Sequence, residues 1–167
     1  MVDILLFQPK FGSGYNYRNS NQLPLGLLSS SRYLHKEYEI KLIDERLHNN
    51  WKTILKRELN KNPICFATTS MTGPQINYAL AASSFVKQHS DIPVIWGGKH
   101  ASLLPIQTLQ NKNIDIAVRG EGELTFYELI KKLHKRGNLK EVLGISFKKN
   151  NQQLIVFLSI IFFLEKN

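Results

Sequence analysis

Four short stretches of this chain combine residue types that can hold a ligand. Trp96-Gly97-Gly98-Lys99-His100 carries two adjacent glycines. They let a backbone approach a bulky ligand closely or adopt positive φ, and they serve equally well in a plain turn. Thr69-Ser70-Met71-Thr72-Gly73 offers hydroxyls and amides just ahead of Pro74. That arrangement suits a phosphate or polar ligand edge at a helix N-terminus, or ordinary helix capping. In Arg119-Gly120-Glu121-Gly122-Glu123, two carboxylates flank a glycine. They can accept hydrogen bonds from ligand amides, or simply favour the positive end of a following helix. Gly12-Ser13-Gly14 is a weak phosphate-loop pattern and keeps a flavin- or nucleotide-binding reading open.

Other chemistry is poorly supplied. Paired metal-ligand spacings such as His-Glu-x-x-His or Cys-x-x-Cys do not occur, and neither does a serine nucleophile elbow. Cys65 is the single cysteine, so the chain can form no internal disulfide and cannot supply the several thiolates of an iron–sulfur cluster. Its setting, Ile64-Cys65-Phe66-Ala67, is that of a small core residue. His35, His48, His89 and His134 fall on predicted helices or their edges and read as solvated. No catalytic residue and no metal ligand is therefore assigned. The formal charge is +9, but the basic residues are spread over helix faces, as in Lys52, Lys56, Arg57 and Lys61, which speaks against a nucleic-acid footprint. A start without a charged leader and apolar segment makes the cytoplasm the expected compartment. The apolar run Leu154–Leu164, at about 1.5 Å per helical residue, falls well short of a bilayer core of ~30 Å, so no membrane span is expected.

These loops must be placed by regular elements, and the pattern supplies them. Apolar runs at Val2–Phe7, Tyr38–Ile43, Ile64–Thr68, Val94–Trp96 and Ile114–Val118 read as buried strands. Between them lie predicted helices at Leu25–His35, Trp51–Leu59, Pro74 to about Gln88, Leu103–Gln110, and a last one marked by Phe126, Leu129, Ile130 and Leu133 that stops at Gly137. In Trp51–Leu59 the helical face carries Trp51, Ile54, Leu55 and Leu59, interrupted by Glu58. Five βα units imply an α/β, flavodoxin-like, doubly wound parallel sheet in the order 2-1-3-4-5, with ligands at the carboxyl ends of the strands. Residues 1–137 form this domain. Residues 138–167 read as a short β extension, Val142–Lys148 with a turn at 149–152, followed by the apolar tail.

In order and at these strand ends, the motifs resemble those of one family. The matching stretches are Leu23-Pro24-Leu25-Gly26-Leu27-Leu28, Ser70-Met71-Thr72-Gly73-Pro74-Gln75-Ile76, Trp96 to His100 with Leu103-Leu104-Pro105, Ile114-Asp115 through Glu123, and Gly144-Ile145-Ser146-Phe147. They look like the N-terminal cobalamin (B12)-binding domain of radical S-adenosylmethionine enzymes, the group that includes the anaerobic magnesium-protoporphyrin ester cyclase. The resemblance implies base-off cobalamin with its nucleotide tail threaded into the domain. Its cofactor-binding residues would be Leu23, Gly26, Thr69, Ser70, Thr72, Gly97, Gly98, His100, Gly120, Glu121 and Glu123. Gly98 would closely approach the tail. An Asp-x-His-x-x-Gly motif after the first strand is absent, which implies no protein histidine on cobalt. Ala67 and Thr69 depart from the family's usual Gly and Ser. The family's three-cysteine cluster motif is missing too, which implies a truncated or split member with no iron–sulfur cluster, no activity alone, and a separate radical S-adenosylmethionine domain or chain as partner. A nonfunctional remnant is the remaining alternative.

Overall fold

A computed structural model describes residues 2–12, 22–149 and 153–156. The strands are β1 (Ile4–Gln8), β2 (Ile40–Asp44), β3 (Cys65–Thr69), β4 (Val94–Gly97), β5 (Ile116–Val118), β6 (Ile145–Lys149) and β7 (Gln153–Val156). They form one sheet in the order β2-β1-β3-β4-β5-β6-β7. The first five pair in parallel, Leu6 lying between Leu42 and Ala67, and Thr68 beside Trp96. This is the expected 2-1-3-4-5 core. The β extension joins the same sheet: β6 runs antiparallel to β5, Ala117 facing Ser146, and β7 antiparallel to β6. The apolar tail beyond Val156 lies outside the described residues, as do Ser13 and Gly14.

The helices are α1 (Leu25–Ser31), α2 (Trp51–Leu59), α3 (Gln75–His89), α4 (Gly98–Leu103), α5 (Pro105–Gln110) and α6 (Gly122–His134). Two apolar clusters, one on each sheet face, show the double winding. Leu5, Phe7, Phe66, Val94, Trp96 and Ala117 meet α2, α3, α4 and α5. Ile4, Leu6, Cys65, Ala67, Ile95, Ile116 and Val118 meet α1 and α6. Alternation along each strand sends neighbours to opposite faces, and a near-continuous apolar run is what a sheet covered on both sides requires.

Several strand ends fall one to three residues from the sequence expectation, and three further differences have a bearing on the site. α1 stops at Ser31 and gives way to turns, where Ser30 and Ser31 compete locally for backbone carbonyls: Ser30 Oγ donates to Gly26 O at 2.6 Å and Ser31 Oγ to Leu28 O at 3.1 Å. The helix expected over Leu103–Gln110 begins at Pro105 as α5, and a separate helix, α4, precedes it over Gly98–Leu103, the two parted at Leu104. The ring of Pro105 disfavours helical geometry in the residue before it, while suiting Pro105 itself to the first turn of α5. β5 begins at Ile116 rather than Ile114.

Buried polar groups on the α2/α3 side find partners. Trp96 Nε1 donates to Ser83 Oγ at 2.9 Å, and Ser83 Oγ donates to Ala79 O. Glu58, which interrupts the apolar face of α2, is itself buried and pairs with Arg57 and Lys61. The hydrogen bond from Lys61, supported by Arg57, holds its carboxyl below the usual range despite burial. Cys65 is fully buried, and burial pushes its thiol strongly up, so it is a core residue as expected.

Candidate functional site

The carboxyl ends of the strands are laced together by backbone and side-chain hydrogen bonds. Ser70 N donates to Gly97 O, and His100 N donates to Ser70 O, at 3.1 and 3.0 Å, which joins the loops after β3 and β4. Gln75, nearly buried at the start of α3, accepts from Met71 N at 2.8 Å and donates to Pro9 O at 3.2 Å. One side chain thus ties the loop after β1 to that after β3. Ser102 Oγ donates to Gly98 O and accepts from Gly120 N, linking α4 to the loop after β5. After β2, Arg46 grips Asp44, Nη2 to Oδ2 at 2.6 Å and Nε to Oδ1 at 2.8 Å, and donates to Gln22 O. Glu45 accepts from Lys10 N at 3.0 Å, and burial raises its carboxyl pKa above the ordinary range. Asp44, Glu45 and Arg46 therefore hold both ends of the loop that precedes α1.

Within this framework a cavity of about 350 Å³ opens between α1, α6 and the carboxyl edge of the sheet. Its floor is apolar and buried: Leu6, Ala67, Ile95 and Val118 from four adjacent strands, with Leu27 and Phe126 from the helices. Its mouth is polar. Ser29, Ser30, Thr69, Glu121 and Glu123 line it together with Gly26, Gly97, Gly98, Gly120 and Gly122. Ser29 Oγ donates to Glu123 Oε1 at 2.5 Å, a bond between α1 and α6 that lowers the pKa of the Glu123 carboxyl.

Seven of the residues singled out in the sequence meet here: Gly26, Thr69, Gly97, Gly98, Gly120, Glu121 and Glu123. The structure places the other four elsewhere. Ser70 is fully buried and its Oγ donates to Met71 O. Leu23 is exposed ahead of α1, and Thr72 is exposed with its Oγ1 3.2 Å from His100 Nδ1. Burial against this loop and beside Trp96 lowers the His100 pKa. No histidine lines the cavity, and among the described residues no three His, Cys, Asp or Glu side chains cluster as a metal site. The floor itself went unread in the sequence. Its signal is the two-residue period, since Ala67, Ile95 and Val118 each stand two positions before Thr69, Gly97 and Gly120 and share their face.

The two central glycines differ in kind. Gly97 extends the face of Ile95 toward the cavity, and a Cβ there would meet only Thr68 O, at 3.9 Å. Gly98 carries a constraint of its own. With φ +86, a Cβ on it would sit 2.4 Å from Thr69 Oγ1 and 2.8 Å from Ser70 O. A glycine is therefore required there by the close approach of this chain's own β3 loop, and Gly98 also lines the cavity.

A buried apolar slot under a polar, glycine-rich mouth defines a ligand-holding α/β domain. Residues 18–130 match the B12 binding domain family, and the chain belongs to that family. An uncharacterized methyltransferase of Pyrococcus horikoshii is 31% identical over 131 residues, covering 77% of this chain and 28% of that protein. The radical S-adenosylmethionine methyltransferase TsrM of Kitasatospora setae, solved with cobalamin and an iron–sulfur cluster bound, superposes with a TM-score of 0.80 at 18% identity, over 96% of this chain and 30% of that one. The cobalamin-dependent S-adenosylmethionine radical enzyme OxsB, solved with aqua-cobalamin, gives 0.75 at 23% identity, over 95% of this chain and 22% of its own. The chain thus spans less than a third of each of these proteins. The two solved structures show the fold, and none of these comparisons extends to the ester-cyclase group. Among the described residues no helix is long and apolar enough to cross a membrane.

Proposed function

We propose that this chain is the cobalamin-holding module of a B12-dependent radical S-adenosylmethionine protein, and that it keeps the cofactor base-off with no histidine from the chain on cobalt. The observation that carries the reading is the cavity at the carboxyl edge of a family-matched sheet. Its apolar floor suits an aromatic tail, and Gly97 leaves room that a Cβ would fill. Thr69, Glu121 and Glu123 at the mouth can accept hydrogen bonds from the amide groups that fringe a corrin. Gly26 and Gly120 lie at the same mouth and let the ring approach. Bound cobalamin would supply a cobalt centre able to carry a methyl group.

The chain's own part is to bind and orient. The sheet edge fixes the floor. Gln75 and the Asp44–Arg46 pair fix the loops around the mouth, and the Ser29–Glu123 bond closes α1 onto α6. Leu23, Leu25, Met71 and Leu124 are exposed on segments around the same edge, an apolar rim that suits a second protein surface above the cofactor. The partner in this reading is a radical S-adenosylmethionine region in the same or another chain, with residues 1–137 holding the cofactor and the extension from residue 138 bracing the sheet at β5.

An absorbance titration with hydroxocobalamin, run beside one with flavin mononucleotide, tests the reading. One equivalent of cobalamin should bind with a base-off spectrum, and the flavin should not bind. Flavin binding alone would favour a flavodoxin-like function, and a base-on spectrum would remove the tail-insertion element.

A further inference from the structure

The chemistry of the cavity changes with depth, and this bears on which corrinoid can enter. At the mouth the lining side chains are hydroxyls and carboxylates, with exposed Leu25 beside them. One residue further back along each strand face, every lining side chain is hydrocarbon: Leu6, Ala67, Ile95 and Val118, closed by Leu27 and Phe126, each no more than 5% exposed. Three of the nearby hydroxyls have their protons committed within the protein. Thr68 Oγ1 donates to Phe7 O, Ser30 Oγ to Gly26 O and Ser29 Oγ to Glu123. A group that reaches the floor finds contact area there, and the floor side chains themselves carry no hydrogen-bonding atom.

We infer that this cavity selects among corrinoids by the base that ends the nucleotide tail, accepting apolar benzimidazole-type and phenolic bases and rejecting purines, with Ala67 and Val118 as the determining residues. The inference rests on the proposed cobalamin-holding role and names the ligand class within it. The physical ground is an asymmetry. An apolar ring gains by leaving water for this floor, whereas the exocyclic amine and extra ring nitrogens of adenine would lose water against side chains that offer them no hydrogen bond. Ala67 lies in the middle of the floor on β3, and Val118 beside the mouth on β5. A hydroxyl at either position would create a partner at little cost in volume.

The test compares four corrinoids by equilibrium binding to the full chain, read from cobalt absorbance: cobalamin itself, a cobamide ending in adenine, a cobamide ending in cresol, and cobinamide, which has no tail. Cobalamin and the cresol form should bind comparably, the adenine form at least about tenfold more weakly, and cobinamide more weakly than cobalamin. In Val118→Thr the gap between cobalamin and the adenine form should narrow several-fold. Ala67→Ser provides the same reading if Val118→Thr fails to fold by circular dichroism. Equal binding of the adenine form and cobalamin, or a gap unchanged in both variants, overturns the inference. Cobinamide binding as well as cobalamin overturns it too, since the tail then does not use the cavity, while leaving cofactor binding intact. Failure of all four to bind overturns the cofactor reading itself.

Discussion

At the scale of single residues, adjacent positions with the same side chain have opposite tasks. Gly97 has negative φ and open space where its Cβ would be, on the cavity face of β4. Gly97→Val should therefore fold normally and fill part of the site. Cobalamin affinity should fall at least about tenfold, with a melting temperature close to that of the parent. Gly98→Val meets Thr69 and Ser70 within the protein and holds a branched side chain at φ +86. It should lose stability by more than about 1–2 kcal/mol in denaturant unfolding, with or without ligand present. If Gly98→Val is as stable as the parent, the β3 loop does not pack against it as described. Both glycines were visible in the sequence as one motif. What separates them is φ and the direction of an absent Cβ, which composition and spacing do not carry.

At the scale of elements, the weakest wall of the cavity is α1. It is seven residues long, contains Gly26 and three serines, and buries only Leu27 and Ser31. Its tie to α6 is the Ser29–Glu123 bond, which lowers the Glu123 pKa. A carboxyl lowered in the folded state stabilises it above its unfolded pKa and loses that contribution as the pH falls through the folded value. The α1–α6 contact should therefore loosen in acid. In Ser29→Ala, carbon-detected titration of the Glu123 carboxyl should show its pKa rise; no change would mean that the bond is not made in solution. The Asp44–Arg46 pair belongs to the same scale, since it fixes the approach to α1 through Gln22 O. Both side chains are 6% exposed, so Arg46→Ala leaves a buried carboxylate without its cation. It should cost about 3 kcal/mol in unfolding experiments near pH 7. Recovery of much of that loss in Asp44→Asn/Arg46→Ala would locate the cost in the stranded charge. Nothing in the sequence signals this pair. An ion pair two residues apart in a turn has no periodic signature, and only the fold brings Gln22 to it.

For the whole molecule, strand order and the ligand edge were legible because apolar runs, their βα alternation and right-handed crossovers leave few arrangements open. The α1 end and the start of α5 were misplaced where local serine bonding and a proline compete with an otherwise helical apolar pattern. The joining of β6 to β5 was not legible, since pairing between segments separated by α6 depends on the tertiary fold. Of the site, the glycines and carboxylates at the mouth could be read from their types, whereas the floor is made of residues that look like any other core. In the proposed function, cobalamin occupies the cavity between α1, α6 and the sheet edge. Amide chemical-shift mapping of the labelled chain with and without hydroxocobalamin tests that placement most directly. Shifts should concentrate at Gly26, Thr69, Gly97, Gly120, Glu121 and the floor residues Ala67 and Val118, with α2 and the amino ends of the strands unmoved. Shifts confined to α2, α3 or the opposite edge of the sheet, with the cavity amides unchanged, would contradict it.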